Sequence, residues 1–420
     1  MKTKIIYIFT IIFSISILNI TGETTNLTSD TLSMNPGYTN DIFYSMNDGV
    51  VADVERAGWD IAFYTSAFSA GIIINEGSGV DLYTYPNGDT SSWASVDSSG
   101  LYSWKKLVNS AESWEDGAFN RNATGHPNYG WGTYNSVTHD VVGDSIYIIN
   151  SPEAGFKKLW IVKKVSIANT YIIKYSNLDG TNEQSIEIDV KPFINKNFIY
   201  FSLTTNETID REPSANWDIL FTKYYDITFD NEGNPVDYLV TGATSNINRE
   251  ANKYYPVGDD FNEWASISFD TYKNVIGYNW KSFSMSTFSW VIEDSTVFFV
   301  KNEIGDVYKL VFTYWEGSAT GVFAFNKEVL SLSTIYDEAE KQQLVSIYPN
   351  PASGIINVSI NDEDAINNEL TITDLSGRMV YSSTIRNSAI TVNATNFESG
   401  LYFVSVIGDN YRETVKLVVR

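Results

Sequence analysis

The 420-residue chain contains no cysteine, which excludes disulfides, thiolate zinc sites, thiol nucleophiles and an acylated lipoprotein cysteine. Histidine is nearly as scarce, with His126 and His139 as the full complement. That leaves little for triad chemistry, and no GxSxG, HExxH, P-loop or EF-hand spacing occurs. Basic charge is short as well: 28 Lys and Arg face 51 Asp and Glu, a formal net charge of −23. Nucleic acid and anionic lipid both need a basic surface, so neither is expected as a partner. Beyond the first residues there is no apolar run of membrane-spanning length, and long helical periodicities are scarce.

The exception is the start, "MKTKIIYIFTIIFSISILNITGE". Lys2 and Lys4 precede an apolar run from Ile5 to Ile20, and small residues follow at Thr21 and Gly22. This pattern predicts a signal peptide over 1–22 and export of a product with no membrane span once it is removed.

What is plentiful is aromatic: 27 Tyr, 23 Phe and 11 Trp. Short alternating runs such as "SIYIIN" (145–150), "TYIIKYS" (170–176) and "VYKLVFTYW" (307–315) are rich in β-branched and aromatic residues. Turn chemistry such as "NLDGTN" and "DNEGNP" separates them, and the pattern predicts an all-β protein.

Part of the chain is doubled. "GWDIAF" (58–63) returns as "NWDILF" (216–221), each after an aromatic strand, "IFYSM" or "IYFSL". Later, "GDSIYIINSPEAGFKKLWIV" (143–162) answers "EDSTVFFVKNEIGDVYKLVF" (293–312). Same order with different loops predicts two homologous domains in tandem, over 23–192 and 193–332. Two large copies are too few for a solenoid. Residues 333–343, "STIYDEAEKQQ", are polar and patternless, a linker. From 344 to 420, strands of five to seven residues with Gly turns predict a small β-sandwich.

This last unit closely resembles the type A C-terminal sorting domain of the type IX secretion system of Bacteroidetes. The motif positions are Tyr348, Pro349, Asn350, Pro351 and Gly354 in "YPNPASG", Gly377 in "DLSGRMVY", Gly400 in "GLYFV", and Lys416 in the "KLVVR" finish. The resemblance implies the type IX machinery as partner, passage to the cell exterior, and a released or surface-attached product. The two repeats, at about 38–190 and 195–330, resemble more loosely the HmuY-like haem-binding family. That resemblance implies an all-β fold and haem as a ligand held by axial His or Met.

The residues themselves are weighed separately. In "GWDIAF" and "NWDILF" the alternation puts Trp on one sheet face and Asp on the other, so Trp59 and Trp217 read as repeated scaffold, each with its indole N–H bonded. His126, in "ATGHPNYGWGTY", and His139, in "SVTHDVV", are the candidate haem ligands. The second copy has Ser289 or Trp290 where His139 would fall, with Met285 nearby, so it lacks a paired His site. Trp93, Trp104, Trp114 and Trp264 are candidates for stacking on a glycan or a partner, or for plugging the core beneath long loops. Acidic groups such as Glu112, Glu115 and Asp116 occur in polar loops, and "DGTNE" lacks a calcium ligand ladder, so no enzyme and no bound metal are expected. Two functions stay open: non-catalytic ligand capture, with haem implied, and surface or glycan binding without haem.

Overall fold

The computed structural model describes residues 27–332, apart from 68 and 215, and parts of 345–419. The expected signal peptide and linker lie outside the described residues, as do Pro349, Pro351 and Gly377. Among the described residues the regular elements are strands and short 3-10 turns, so the fold is all-β. They fall into two compact units, Met1–Ser333 and Thr334–Arg420.

The first unit holds two β-sandwiches. One face of the first is the sheet in the order Glu207–Ile209, Phe198–Ser202, Ile61–Tyr64, Ile72–Ile74. Its other face carries Gln184–Asp189, Thr170–Asn177, Gly155–Val165, Tyr147–Ser151, Asp81–Thr84 and Lys106–Leu107. Between them Ile61, Phe63, Trp131, Tyr147, Tyr171 and Phe201 form a buried core. The second sandwich pairs the order Pro235–Ser245, Ile219–Phe229, Asn40–Ser45, Gly49–Glu55 with the order Thr28–Ser33, Val322–Ser331, Val307–Trp315, Val297–Lys301, Glu250–Tyr254.

This pairing differs from the tandem division expected at 192/193. The aromatic hairpin that precedes each Trp-Asp strand belongs to the other sandwich. Phe198–Ser202 pairs with Ile61–Tyr64, so the first sandwich runs from the first Trp-Asp strand through residue 209. The second starts at the second Trp-Asp strand and is completed by the beginning of the chain: Thr28–Ser33 joins Val322–Ser331, and Asn40–Ser45 joins Ile219–Phe229. The sequence repeat is read from hairpin to Trp-Asp strand, whereas the structural repeat runs from Trp-Asp strand to hairpin. A strand with both edges and both faces to satisfy takes the partner that covers them, wherever that partner lies in the chain.

The Trp-Asp motif supplies the clasp. Asp60 Oδ2 accepts the Leu203 N–H at 2.7 Å, and Asp218 Oδ2 accepts the Met46 N–H at 2.7 Å. In each case the carboxylate holds the end of the incoming strand. Trp59 packs edge-on against Tyr200 and Trp217 against Phe43, at 4.8 and 5.1 Å between ring centroids. Along each strand alternate residues serve two cores: Ile61 and Phe63 face their own sandwich, while Ala62 and Tyr64 join a cluster shared with Trp59 and Trp114. Buried on both faces, these strands are the wall between the sandwiches, which is why the motif is repeated. One detail departs from expectation. Trp217 donates to Glu212 Oε1 at 3.3 Å, but the buried Trp59 Nε1–H has no acceptor among the described residues.

The second unit packs a three-stranded sheet (Val345–Tyr348, Ile355–Ile360, Ala389–Asn393) with a four-stranded one (Met379–Ile385, Asn368–Asp374, Gly400–Ile407, Arg412–Val419). Its core includes Ile356, Val358, Leu370, Ile372, Val404 and Leu417.

Candidate ligand pocket

A hairpin with two tight turns builds the site in the first sandwich. Gly132–Tyr134 pairs with Val141–Gly143, and the latter pairs with the long strand Gly155–Val165. The approach is close: a Cβ at Gly143 would stand 1.7 Å from the Ile161 carbonyl oxygen, which demands glycine there. One turn, Asn135–Asp140, is closed by Asn135 N to Asp140 O at 2.8 Å and by His139 N to Asn135 O at 2.8 Å. His139 sits in it with φ 62, a left-handed conformation uncommon outside glycine. The other turn is closed by Asn128 N to Gly125 O at 2.8 Å and tied to the hairpin by Tyr134 N to Pro127 O at 2.8 Å.

These turns bring together the two histidines of the chain. Both line one pocket of about 580 Å³, along with Tyr129, Tyr134, Val141 and Lys164. Tyr134 lies beside both imidazoles, with ring centroids 5.2 Å from His126 and 6.1 Å from His139. Its hydroxyl is 2.6 Å from His139 Nδ1. That bond orients the ring and leaves Nε2 as the nitrogen available to a ligand. His126 also meets Tyr129 edge-on at 6.4 Å. Behind the wall, the Ala70 backbone is held from two sides. Trp131 Nε1 and Asn120 Nδ2 both donate to the Ala70 carbonyl, at 2.9 and 3.1 Å.

Lys164 sits at the pocket's buried side and is 1% exposed. Its Nζ donates to the Ser66 carbonyl at 2.8 Å and to the Ser69 carbonyl, and lies 5.0 Å from the centre of the Tyr171 ring. Burial lowers its pKa to about 8, against a smaller opposing pull from Glu115. Neither Lys164 nor the two tyrosines was a sequence candidate. In "LWIVKKV", strict alternation from Leu159 and Ile161 would turn Lys163 inward and Lys164 out. A register shift between Ile161 and Lys163 reverses this. Lys163 instead pairs outward with Asp140 at 2.7 Å, and Lys164 enters the pocket.

The tryptophan candidates are occupied within the protein. Trp93 donates to Glu183 Oε2 at 2.8 Å, and the ammonium groups of Lys158 and Lys174 each lie 5.0 Å from its ring centre. Trp104 is half-buried against Tyr85. Trp114 crosses to the second sandwich, where its Nε1 donates to the Ser245 carbonyl at 2.8 Å, with Lys273 at 4.6 Å from its ring. Trp264 is half-buried against Phe269. All four are half-buried and engaged with neighbouring side chains or carbonyls of the protein. In the second sandwich the hairpin Lys281–Ser284 and Ser289–Ile292 presents Trp290 against Phe283 and Trp315. No histidine is present there.

In the second unit the motif Asn350 reads the last strand: its Nδ2 donates to the Lys416 carbonyl at 2.7 Å and its Oδ1 accepts the Val418 N–H at 2.9 Å. Tyr348 ends the first strand opposite Asn357, and Gly400 opens the strand that pairs with the last one. Gly354 precedes Ile355–Ile360. The family model for the secretion system C-terminal sorting domain matches residues 346–420. This unit is a type IX sorting domain. It places the protein in the extracellular space or at the outer cell surface, with the type IX machinery as its export partner. No helix among the described residues is long and apolar enough to cross a membrane.

No curated protein matches the sequence. Among solved structures it is similar to PorZ, a surface component of the type IX secretion system of Porphyromonas gingivalis, at 12% identity and TM-score 0.17. That match covers 68% of this chain and 44% of PorZ, so the chain spans less than half of that protein. A biofilm-associated protein BSP domain matches at 11% identity and TM-score 0.16, over 94% of this chain and 66% of that one. Latent PorU of Porphyromonas gingivalis matches at 12% identity and TM-score 0.16, over 81% and 34%. Superpositions this loose fix no shared architecture.

Proposed function

We propose that the exported protein is a non-catalytic binding protein whose first sandwich captures a flat, largely apolar ligand, with haem the ligand that its donors fit. The observation that carries this reading is the convergence of both histidines of a 420-residue chain on one pocket. The pocket's volume suits a small ligand or cofactor. His126 and His139 would hold the iron as axial imidazoles, and Tyr129 and Tyr134 would flank the macrocycle. The resemblance of the repeats to the HmuY-like family supports the same ligand. Titration of the mature protein with haemin tests it. A saturable, shifted Soret band that is weakened in His126→Ala and in His139→Ala is expected. A spectrum equal to that of free haemin rejects haem.

A second reading, surface interaction without haem, draws support from the second sandwich. Met285 and Phe288 are 71% and 75% exposed at the tip of its hairpin, beside partly exposed Phe283 and Trp290. Haemin-independent binding to a glycan or cell-surface panel, abolished by Phe288→Ser, would favour it.

A further inference from the structure

Lys164 is the single Lys, Arg, Asp or Glu among the residues that line the pocket. Two of its three N–H donors go to the Ser66 and Ser69 carbonyls, and among the described residues no carboxylate forms an ion pair with it. Glu115 reaches it through longer-range attraction alone. A cation this deeply buried is costly unless an anion meets it. The ammonium has two carbonyls and the Tyr171 ring as partners but no paired carboxylate among the described residues, in a protein whose net charge is −23. The lining also includes the hydroxyl residues Ser69, Thr138 and Ser166, which suit an oxyanion as well.

We propose that the pocket selects ligands bearing an anionic oxygen group, a carboxylate or its sulfonate equivalent, on a flat apolar body, and that Lys164 is the residue that reads the anion. This rests on the pocket being a ligand site but not on the ligand being haem. The long-range repulsion of an acidic protein for anions is overcome only where a local cation is shielded from solvent, so Lys164 would set specificity rather than general affinity.

Two dyes that differ mainly by a sulfonate separate the ideas: 8-anilinonaphthalene-1-sulfonate and neutral N-phenyl-1-naphthylamine. Both are titrated by fluorescence into the mature full chain and into Lys164→Met and Lys163→Met. The expected result is at least a tenfold loss of sulfonate-dye affinity in Lys164→Met, with the neutral dye within twofold and Lys163→Met like the parent. Should Lys164→Met fold poorly by near-UV circular dichroism, Lys164→Gln, which retains donors for the two carbonyls, replaces it with the same expectation. Equal sulfonate-dye affinity in parent and variant overturns the proposal, as does the absence of sulfonate-dye binding in the parent. Haemin run alongside keeps the two readings apart. Failure of haemin with a Lys164-dependent dye removes haem alone. Haemin binding with a Lys164-independent dye removes the anion site alone.

Discussion

Replacing Asp218 by alanine removes the group that holds the start of the chain in the second sandwich. Two interactions go at once: the Met46 N–H loses its acceptor at 2.7 Å, and Arg249 Nε loses a carboxylate at 2.6 Å. The Arg249 and Asp218 side chains are 3% and 4% exposed, so water does not substitute for either. An unsatisfied buried N–H costs about 1–3 kcal/mol, and breaking a buried ion pair about 3–5 kcal/mol. Arg249 keeps Glu303 at 3.2 Å on the solvent side, and the two losses overlap, so about 4 kcal/mol is the expected sum. Asp60→Ala is the matched control. It strips the Leu203 N–H of the same kind of acceptor, and Asp60 has no ion pair among the described residues, so about 2 kcal/mol is expected. Urea unfolding of the mature chain measures the totals, and hydrogen exchange by mass spectrometry locates them. Asp218→Ala should accelerate exchange in peptides covering 40–55 and leave 198–209 protected, while Asp60→Ala should do the reverse. Equal destabilisation by the two, or a uniform rise in exchange, would refute the clasp.

Three further outcomes follow from other contacts. Glu212 accepts the Asn197 and Phe198 N–H groups and the Tyr200 hydroxyl, yet burial raises its pKa to about 7. The folded state then keeps a proton that the unfolded chain releases above about pH 4.3, so stability falls as pH rises from there to about 7 and levels off above. The span is on the order of 3 kcal/mol, and a Tm series from pH 5 to 8 should be flatter in Glu212→Gln even if that variant is less stable. A fragment of residues 57–212 contains every strand of the first sandwich and should be β-folded by circular dichroism, though its uncovered wall face favours self-association, whereas 23–192 lacks Phe198–Ser202 and should lose the β signal. Asn350→Ala frees the Lys416 carbonyl and the Val418 N–H of the last strand, at a cost of about 1 kcal/mol, and should leave more of the protein inside the cell by fractionation.

The sorting unit was legible because its signals are local: a Pro-Asn-Pro entry, Gly turns and a short closing strand, each a few residues long. The all-β class was legible for the same reason, since alternation and turn chemistry are short-range. Domain boundaries were not. Nothing in "IFYSM" or "IYFSL" says which Trp-Asp strand it will join, because both offer the same edge and the same aromatic face, and connectivity is settled by closing the second sandwich with the first strands of the chain. The pocket shows the same division between local and non-local information. His126 and His139 stood out by rarity, and their hairpin turns bring them to one cavity. Lys164 was hidden by a one-residue register shift, which turns the second lysine of "KK" inward while its neighbour pairs with Asp140. A period-2 pattern identifies a strand but cannot place a bulge within it, since the extra residue is chosen by the partner strands. The consequence can be measured: deleting Val162 would remove the extra residue and, by strict alternation from Ile161, leave Lys163 outward and Lys164 inward without the bulge. If binding of the sulfonate dye in that variant still depends on Lys164 and not on Lys163, the face that the lysine takes is what sets the anion's position. If the dependence on Lys164 is lost, the bulge itself, which brings the ammonium to the carbonyls of Ser66 and Ser69, defines that part of the pocket.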